Sequence, residues 1–113
     1  AYIGGVIAPG VNLSVKALHE AAAALPNIDV AKPKISIGTN TIESLLAGAI
    51  GGANAELQQR VEAFHTEFGD FRVALTGGDA ECLELRTRYP IFADSNLTWK
   101  GFHLILKDLV QKH

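Results

Sequence analysis

The sequence predicts an α/β domain with a mainly parallel or mixed sheet, on three observations. Apolar segments of strand length alternate with segments whose apolar residues recur every three or four positions, as on one face of a helix. Turns with glycine or proline separate these segments, and no repeat or linker interrupts the chain. The 113 residues are 48% hydrophobic and 19% charged, which suits one folded domain over residues 1–113 and excludes disorder as the main state.

Charge and cysteine content limit the partners. Ten Lys and Arg residues are scattered among twelve Asp and Glu residues, so no surface for nucleic acid is predicted. Every apolar stretch stops well short of the roughly 20 residues that a membrane span needs. The single cysteine, Cys82, has no internal partner, which favours a reducing compartment, with the cytoplasm as the default.

The chain starts at Ala1 and lacks methionine, so we interpret it as a piece of a longer protein.

The first predicted element is a strand at residues 2–9, which Pro9-Gly10 ends as a turn. Gly4 and Gly5 lie inside this strand. Glycine in a strand interior indicates a bulge or the close approach of another backbone or a ligand.

A helix is predicted next, from Asn12, which serves as its cap, to Leu25, where Pro26-Asn27 stops it. Residues 28–38 follow, with a proline inside them and weak alternation near their end. They predict either a short strand or an extended loop.

The clearest element is a long helix from Ile42 to Phe68, whose apolar residues are spaced by three and four positions throughout. Asn40 with Glu43 three positions later forms a capping-box pattern, and Gly69 ends the helix.

Two glycines lie on one face of this helix. Gly48 and Gly52 are four positions apart, and each costs about 1 kcal/mol relative to alanine. They therefore predict close packing against another backbone, with two neighbours equally favoured: a symmetry-related copy of the helix, or an ordinary contact in the core.

The second half repeats the order of strand and helix. A strand at residues 71–75 leads through a Thr-Gly-Gly-Asp turn into a helix that ends near Arg88. A short strand at Ile91–Ala93 precedes a last helix, capped near Asn96 or Thr98. One face of that helix is apolar: Trp99, Phe102, Ile105, Leu106 and Leu109.

Thr76, Gly77 and Gly78 are the first candidate ligand site. They follow directly on a buried strand, and in open α/β sheets ligands bind beyond the carboxyl ends of the strands. Glycines let the backbone approach a flat ring or a phosphate, and the start of a helix offers free N–H groups. A plain tight turn explains the same residues.

The second candidate is Gly38-Thr39-Asn40-Thr41, at the start of the long helix. Its side chains and the free N–H groups of the first turn suit a hydroxyl, an amide or a carboxylate. Helix capping alone explains why an asparagine occurs at position 40, but it does not explain the threonine at position 41.

The remaining polar residues form no catalytic pattern. The four histidines and Cys82 lack metal-ligand spacing, so we predict neither a metal site nor a catalytic residue in the chain. Asp79 is a candidate cap for the helix that follows it. Asp94 ends a strand, where its carboxylate either reaches a ligand or serves the structure alone.

Four motifs in this order and spacing resemble the C-terminal half of the type III pantothenate kinases, also called Bvg accessory factors, over essentially the whole chain. The motifs are Gly4-Gly5-x-Ile7-x-Pro9-Gly10, Pro33-x-x-x-x-Gly38-x-Asn40-Thr41-x-Glu43-Ser44-x-x-x-Gly48, Thr76-Gly77-Gly78-Asp79-Ala80 and Asp94-x-Asn96-Leu97-x-x-x-Gly101.

The resemblance implies the C-terminal domain of an actin-like, sugar-kinase superfamily (ribonuclease H-like) fold, a mixed sheet with helices whose first strand lies outside this chain. It implies a cytoplasmic homodimer whose two-domain parent phosphorylates pantothenate with ATP, the first step of coenzyme A biosynthesis. The implied cofactors are magnesium with the nucleotide and a monovalent cation, potassium or ammonium, bound upstream. A non-catalytic ligand-binding or regulatory relative and a kinase for another small hydroxylated substrate remain as alternatives.

The same resemblance assigns roles to residues. Thr41 is expected to contact pantothenate across the dimer interface. Thr76-Gly77-Gly78 are expected to line the adenosine side of the nucleotide cleft, and Gly4-Gly5 to lie just after a phosphate-binding loop.

The family's two phosphate loops and its catalytic aspartate belong upstream of Ala1, so we expect no kinase activity from this chain alone. Glu56 and Arg60 stand where the family's long helix usually continues its glycines, a departure that puts the usual helix packing in doubt. The resemblance also places a missing strand between residues 2–8 and 71–75. Its loss is expected to expose two strand edges and to cause unusual dimerisation, rearrangement or aggregation.

Overall fold

The structure, a computed structural model, describes residues 1–30, 36–84, 91–94 and 96–112. By their contacts these residues form two compact units, Ala1–Glu56 and Leu57–His113. The elements in chain order are α1 (Val11–Ala21), α2 (Thr41–Leu46), a π-helical turn (Ala47–Gly51), α3 (Gly52–Phe68), β1 (Val73–Leu75), a 3₁₀ turn (Ala80–Cys82), β2 (Ile91–Ala93) and α4 (Leu97–Gln111).

Residues 1–10 form no strand, which makes the strand predicted at residues 2–9 wrong. All ten residues are exposed, and Tyr2 and Ile3 are 87% and 81% exposed. A strand needs a neighbour to bond its N–H and C=O groups, and the described residues of the first unit include no other strand.

Helix α1 begins earlier and ends earlier than predicted. Gly10 holds the position before the first turn, and its carbonyl oxygen accepts the Ser14 N–H at 3.0 Å and the Ser14 hydroxyl at 2.9 Å. Asn12 therefore lies inside the helix and does not cap it. The helix ends at Ala21, four residues before Leu25, because the next residue adopts an extended conformation.

The core of the first unit lies where α1 meets the long helix. Val11 and Val15, one turn apart on α1, are each 1% exposed. Leu45, Leu46 and Ala49 are buried near the point where α1 contacts the π-helical turn. Full burial of a valine or leucine side chain contributes about 1.5–3 kcal/mol, so these buried residues stabilise the unit.

The long helix is confirmed, with α2, the π-helical turn and α3 following one another without a break. The Asn40 side-chain oxygen accepts the Glu43 N–H at 2.9 Å, which confirms the predicted cap. Gly69 ends α3 with a φ of +79°, and its N–H donates to the His65 carbonyl oxygen at 2.9 Å.

No described residue packs closely enough against Gly48 and Gly52 to require glycine at these positions. A Cβ built on Gly48 or on Gly52 would meet no described atom within 4 Å. The interpretation as a tight core contact is therefore wrong for the described part of the chain. Packing against a symmetry-related copy stays a prediction.

In the second unit, β1 and β2 pair in parallel, with Val73 opposite Ile91 and Leu75 opposite Ala93. This pair and the helices confirm the α/β class, and the actin-like fold stays a prediction. The helix predicted as far as Arg88 is one 3₁₀ turn up to residue 84, and residues 85–90 lie outside the described part. Residues 31–35 of the segment predicted as strand or loop also lie outside it.

Helix α4 is confirmed, yet none of its described residues is buried. Trp99 is 72% and Val110 75% exposed, so its apolar face is uncovered within the described chain. Asn96 precedes the helix, but its side chain makes no capping hydrogen bond. Across the described ranges, the helices are too short or too polar to cross a membrane.

Candidate ligand-binding site

An open cavity of about 520 Å³ lies in the first unit, beside the start of α2. Its volume is within the range of small-molecule sites, roughly 300–1,000 Å³. The residues that line it are Leu18, Leu25, Gly38, Thr39, Asn40, Thr41, Ser44, Leu45 and Gly48. The predicted segment Gly38-Thr39-Asn40-Thr41 thus lies at a cavity that can hold a ligand.

The lining combines apolar and polar groups. Three leucines come from α1, from the turn after it and from α2, whereas Thr39, Thr41 and Ser44 contribute hydroxyl groups. Such a lining suits a small molecule that carries both alkyl groups and hydrogen-bonding groups.

His19 holds the turn that supplies one of these leucines. Its Nδ1 lies 2.6 Å from the Leu25 carbonyl oxygen, and because a carbonyl oxygen only accepts, Nδ1 carries the proton and donates. The Leu25 N–H donates to the Ala22 carbonyl oxygen at 2.9 Å. These two hydrogen bonds keep Leu25 close to the end of α1.

Gly38 brings the preceding loop against the first turn of α2. A Cβ at this position would lie closer than 3.0 Å to backbone atoms of Glu43 and Ser44. Backbone atoms cannot rotate away as a flexible side chain does, so this approach requires glycine.

Glu43 ties the loop to the helix by three hydrogen bonds. Its Oε2 accepts the Thr39 N–H at 2.9 Å and the Thr39 hydroxyl at 2.7 Å, and its own N–H donates to the Asn40 side chain. The carboxylate therefore bonds the residue before Asn40, one position earlier than in a capping box. The Thr39 N–H, followed by the Thr39 hydroxyl, lowers the pKa of the Glu43 carboxyl.

Thr41 and Ser44 are three positions apart and so lie on one face of the helix. Both line the cavity. Neither side-chain hydroxyl is hydrogen-bonded to another described residue, so both are available to a ligand.

The second predicted site, Thr76-Gly77-Gly78, lies in the second unit at the carboxyl end of β1, and all three residues are exposed. Gly77 has a φ of +99°, and its carbonyl oxygen accepts the Ala80 N–H at 3.3 Å. These features confirm a tight turn. A role in binding a nucleotide stays a prediction for these residues, as it does for Gly4-Gly5 in the exposed start of the first unit.

Asp94 follows β2 at the same edge of the strand pair, where its N–H donates to the Leu75 carbonyl oxygen at 3.0 Å. Its carboxylate accepts the Asn96 N–H at 2.9 Å and the Lys100 ammonium at 2.5 Å. Lys100, and then the Asn96 N–H, lowers the pKa of the Asp94 carboxyl. These bonds support the structural alternative for Asp94, which connects β2 to α4.

Other predicted polar residues have local roles. Asp79 precedes the 3₁₀ turn but makes no side-chain capping bond, so the predicted cap is wrong. His65 Nδ1 lies 3.3 Å from the Gly69 carbonyl oxygen at the end of α3. In the described ranges, no three His, Cys, Asp or Glu side chains group closely enough to hold a metal ion.

Sequence reasoning missed several residues of the cavity. Ser44 was detectable, because it follows Thr41 by three positions on the predicted helix. Leu18 and Leu25 were not, since they reach the cavity through the packing of α1 and the turn after it.

The strands and helices define an α/β chain, and its first unit contains a cavity of small-molecule size with a mixed lining. Comparisons with known proteins show the family of the chain. A "Type III pantothenate kinase" of Roseobacter denitrificans is 42% identical over 108 residues, which are 95% of this chain and 42% of that relative. The corresponding proteins of Ruegeria pomeroyi and Christiangramia forsetii are 44% and 35% identical over 93% and 94% of this chain, and over 41% and 44% of their own lengths.

The family model described as "Type III pantothenate kinase" matches residues 1–63, which include the cavity. The chain belongs to the type III pantothenate kinase family. It spans about two fifths of the length of the curated relatives that it matches.

Proposed function

We propose that this chain is the C-terminal part of an ATP-dependent kinase that phosphorylates pantothenate in the first step of coenzyme A biosynthesis. The observation that carries the proposal is the position of Thr41, which lines the cavity and whose hydroxyl has no described hydrogen-bond partner. Membership of the family supports pantothenate as the substrate.

The chemistry of pantothenate fits the lining. The molecule has two hydroxyls, an amide and a carboxylate, beside a carbon that bears two methyl groups. The leucines suit the methyl groups, and the hydroxyls of Thr39, Thr41 and Ser44 suit the polar groups. We assign Thr41 to pantothenate, and we propose that the site is completed across the interface of a homodimer.

The nucleotide is proposed to bind elsewhere in the protein. Thr76-Gly77-Gly78 are assigned to the adenosine side of its cleft, and Gly4-Gly5 to the neighbourhood of a phosphate loop. Magnesium neutralises phosphate charge when it is bound. Its ligands, those of a monovalent cation and the catalytic aspartate are proposed to lie upstream of Ala1, in a cytoplasmic parent protein.

The test is Thr41→Val in the full-length protein, which removes the hydroxyl at nearly constant volume. We expect the KM for pantothenate to rise about tenfold, the cost of one hydrogen bond of about 1.4 kcal/mol, and the KM for ATP to stay unchanged. The control is Thr66→Val, because the Thr66 hydroxyl donates to the Glu62 carbonyl oxygen on α3 and does not line the cavity.

Two other results would contradict different parts of the proposal. An unchanged KM for pantothenate in Thr41→Val contradicts the role of Thr41. If the full-length protein does not phosphorylate pantothenate, the proposed function is wrong, and a kinase for another small hydroxylated substrate or a non-catalytic relative takes its place.

A further inference from the structure

The hydroxyl of Thr39 already donates a hydrogen bond within the protein. Thr39 Oγ1 lies 2.7 Å from Glu43 Oε2, and the Thr39 N–H lies 2.9 Å from the same oxygen. An ionised carboxylate has no proton to give and only accepts hydrogen bonds. The Thr39 hydroxyl must therefore donate its proton to Glu43.

This hydrogen bond determines whether the Thr39 hydroxyl can donate to a ligand or accept from it. A threonine hydroxyl has one proton and two lone pairs, so an Oγ1 that donates to Glu43 can only accept from anything else. The hydroxyls of Thr41 and Ser44 bond no described residue, and they can rotate to donate or to accept. Among the three hydroxyl groups of the lining residues, one is thus a fixed acceptor and two are adaptable.

We propose that Glu43 and Thr39 determine specificity by presenting a fixed hydrogen-bond acceptor, which selects a ligand with an O–H or N–H group at Thr39. A carboxylate or carbonyl oxygen at that place would face lone pairs without a proton between them. The inference rests on the proposed function: the groups of pantothenate that qualify are its hydroxyls and its amide N–H, and its carboxylate is excluded.

Two features keep this arrangement in place. The close approach of Gly38 to the backbone of Glu43 and Ser44 fixes the loop, and the Glu43 N–H bonded to Asn40 at 2.9 Å fixes the helix turn that carries the carboxylate. A glutamate carboxyl is ionised at neutral pH, and the Thr39 N–H lowers the pKa of Glu43 further, so this carboxyl is an acceptor there.

The first experiment measures pantothenate and ATP binding to the full-length protein by calorimetry. Thr39→Val should weaken pantothenate binding about tenfold, Thr39→Ser should restore it to within about twofold, and ATP binding should not change in either variant. Glu43→Ala should also weaken pantothenate binding, because it releases the Thr39 proton. Glu62→Ala is the matched control, since Glu62 is an exposed helical glutamate bonded to Gln58 and lies outside the cavity lining. The Thr39 variants decide the outcome if Glu43→Ala does not fold.

The second experiment tests the direction of the hydrogen bond. Three analogues of pantothenate each lack one donor: the amide N–H is replaced by an ester oxygen, or one hydroxyl by fluorine. We expect one analogue to bind about tenfold more weakly than pantothenate to the wild type, yet as well as pantothenate to Thr39→Val.

The outcomes separate the two proposals. If Thr41→Val weakens pantothenate binding while the Thr39 and Glu43 variants do not, this inference is overturned and the proposed function stands. The inference is also overturned if every analogue loses affinity equally in the wild type and in Thr39→Val. If the wild-type full-length protein does not bind pantothenate, both proposals fail.

Discussion

At Gly38 the loop before the long helix approaches the helix backbone more closely than any Cβ allows. The same loop carries the hydroxyl groups of the cavity. The geometry of the site therefore depends on a residue that contributes no side chain to it. This dependence can be measured as stability.

Gly38→Ala should destabilise the full-length protein by about 1–3 kcal/mol, because the added methyl group forces the loop away from the backbone of Glu43 and Ser44. The matched change is Gly101→Ala, inside α4, where a Cβ meets no described atom within 4 Å. That substitution should stabilise the protein by up to about 1 kcal/mol through helix propensity. Urea denaturation followed by circular dichroism measures both, and equal effects would contradict the close approach.

Residue-scale prediction worked where a local rule was sufficient. Asn40 caps the helix because the short side chain before a helix reaches the N–H three residues later. The capping-box pattern predicted that the Glu43 carboxylate bonds the Asn40 N–H, but it bonds the Thr39 N–H, one residue earlier. The close approach of Gly38 to the helix places Thr39 nearer to the carboxylate. Backbone approaches of this kind depend on tertiary packing and leave no local pattern in the sequence.

Among the elements, β2 and α4 are connected by the carboxylate of Asp94. It bonds the Asn96 N–H before the helix and the Lys100 ammonium within it. The negative charge also lies near the N-terminal end of α4, where a helix favours an anion. The connection therefore requires that this carboxyl be ionised.

The stability of the full-length protein should fall with acid in a way that depends on Asp94. Its pKa in the folded state is lowered, so its contribution is complete above the unfolded pKa of about 4 and is lost as the pH falls through the folded value. Asp94→Asn should lower the melting temperature at pH 7 and reduce the further loss below about pH 4. Melting curves from pH 7 to pH 2.5 test this. Asp29→Asn, at an exposed site with no described partner, should follow the wild type.

Helices and strands differed in how well they could be predicted, because a strand needs another strand that is distant in the sequence and a helix does not. The long helix and α4 were predicted because helical periodicity is visible within the segment itself. The strand at residues 2–9 was wrong, because its composition favours a strand but the described residues of the first unit include no other strand to pair with it. For β1 and β2 the neighbour exists: β1 forms at Val73–Leu75, within the predicted residues 71–75, and β2 forms at the predicted Ile91–Ala93.

At the scale of the whole molecule, apolar surface is exposed in several places. The start of the chain and the apolar face of α4 are uncovered, and β1 and β2 each have one edge unpaired within the described chain. Exposed apolar patches and unpaired edges favour association. The α/β class was predictable from the order of the elements, but the exposure of apolar residues was not, because it depends on tertiary packing.

The purified 113-residue chain should therefore self-associate and show no pantothenate kinase activity. Sedimentation across a concentration series measures the association, and the emission of Trp99, the single tryptophan and 72% exposed, should shift to shorter wavelength as association buries it. The full-length protein is the control for activity. A stable monomer would contradict the first expectation, and phosphopantothenate formed by the chain alone would contradict the second.

The π-helical turn at Ala47–Gly51 has a consequence for how the length of this helix can vary. A π-helical turn holds about one residue more than an α-helical turn. Deleting one residue there would restore regular α-helix and keep α3 close to its present register with α2, whereas a deletion in regular helix would turn α3 by about 100° and shift it by about 1.5 Å. In relatives one residue shorter, we therefore expect the alignment gap to fall inside this helix, at the π-helical turn, and not in a loop.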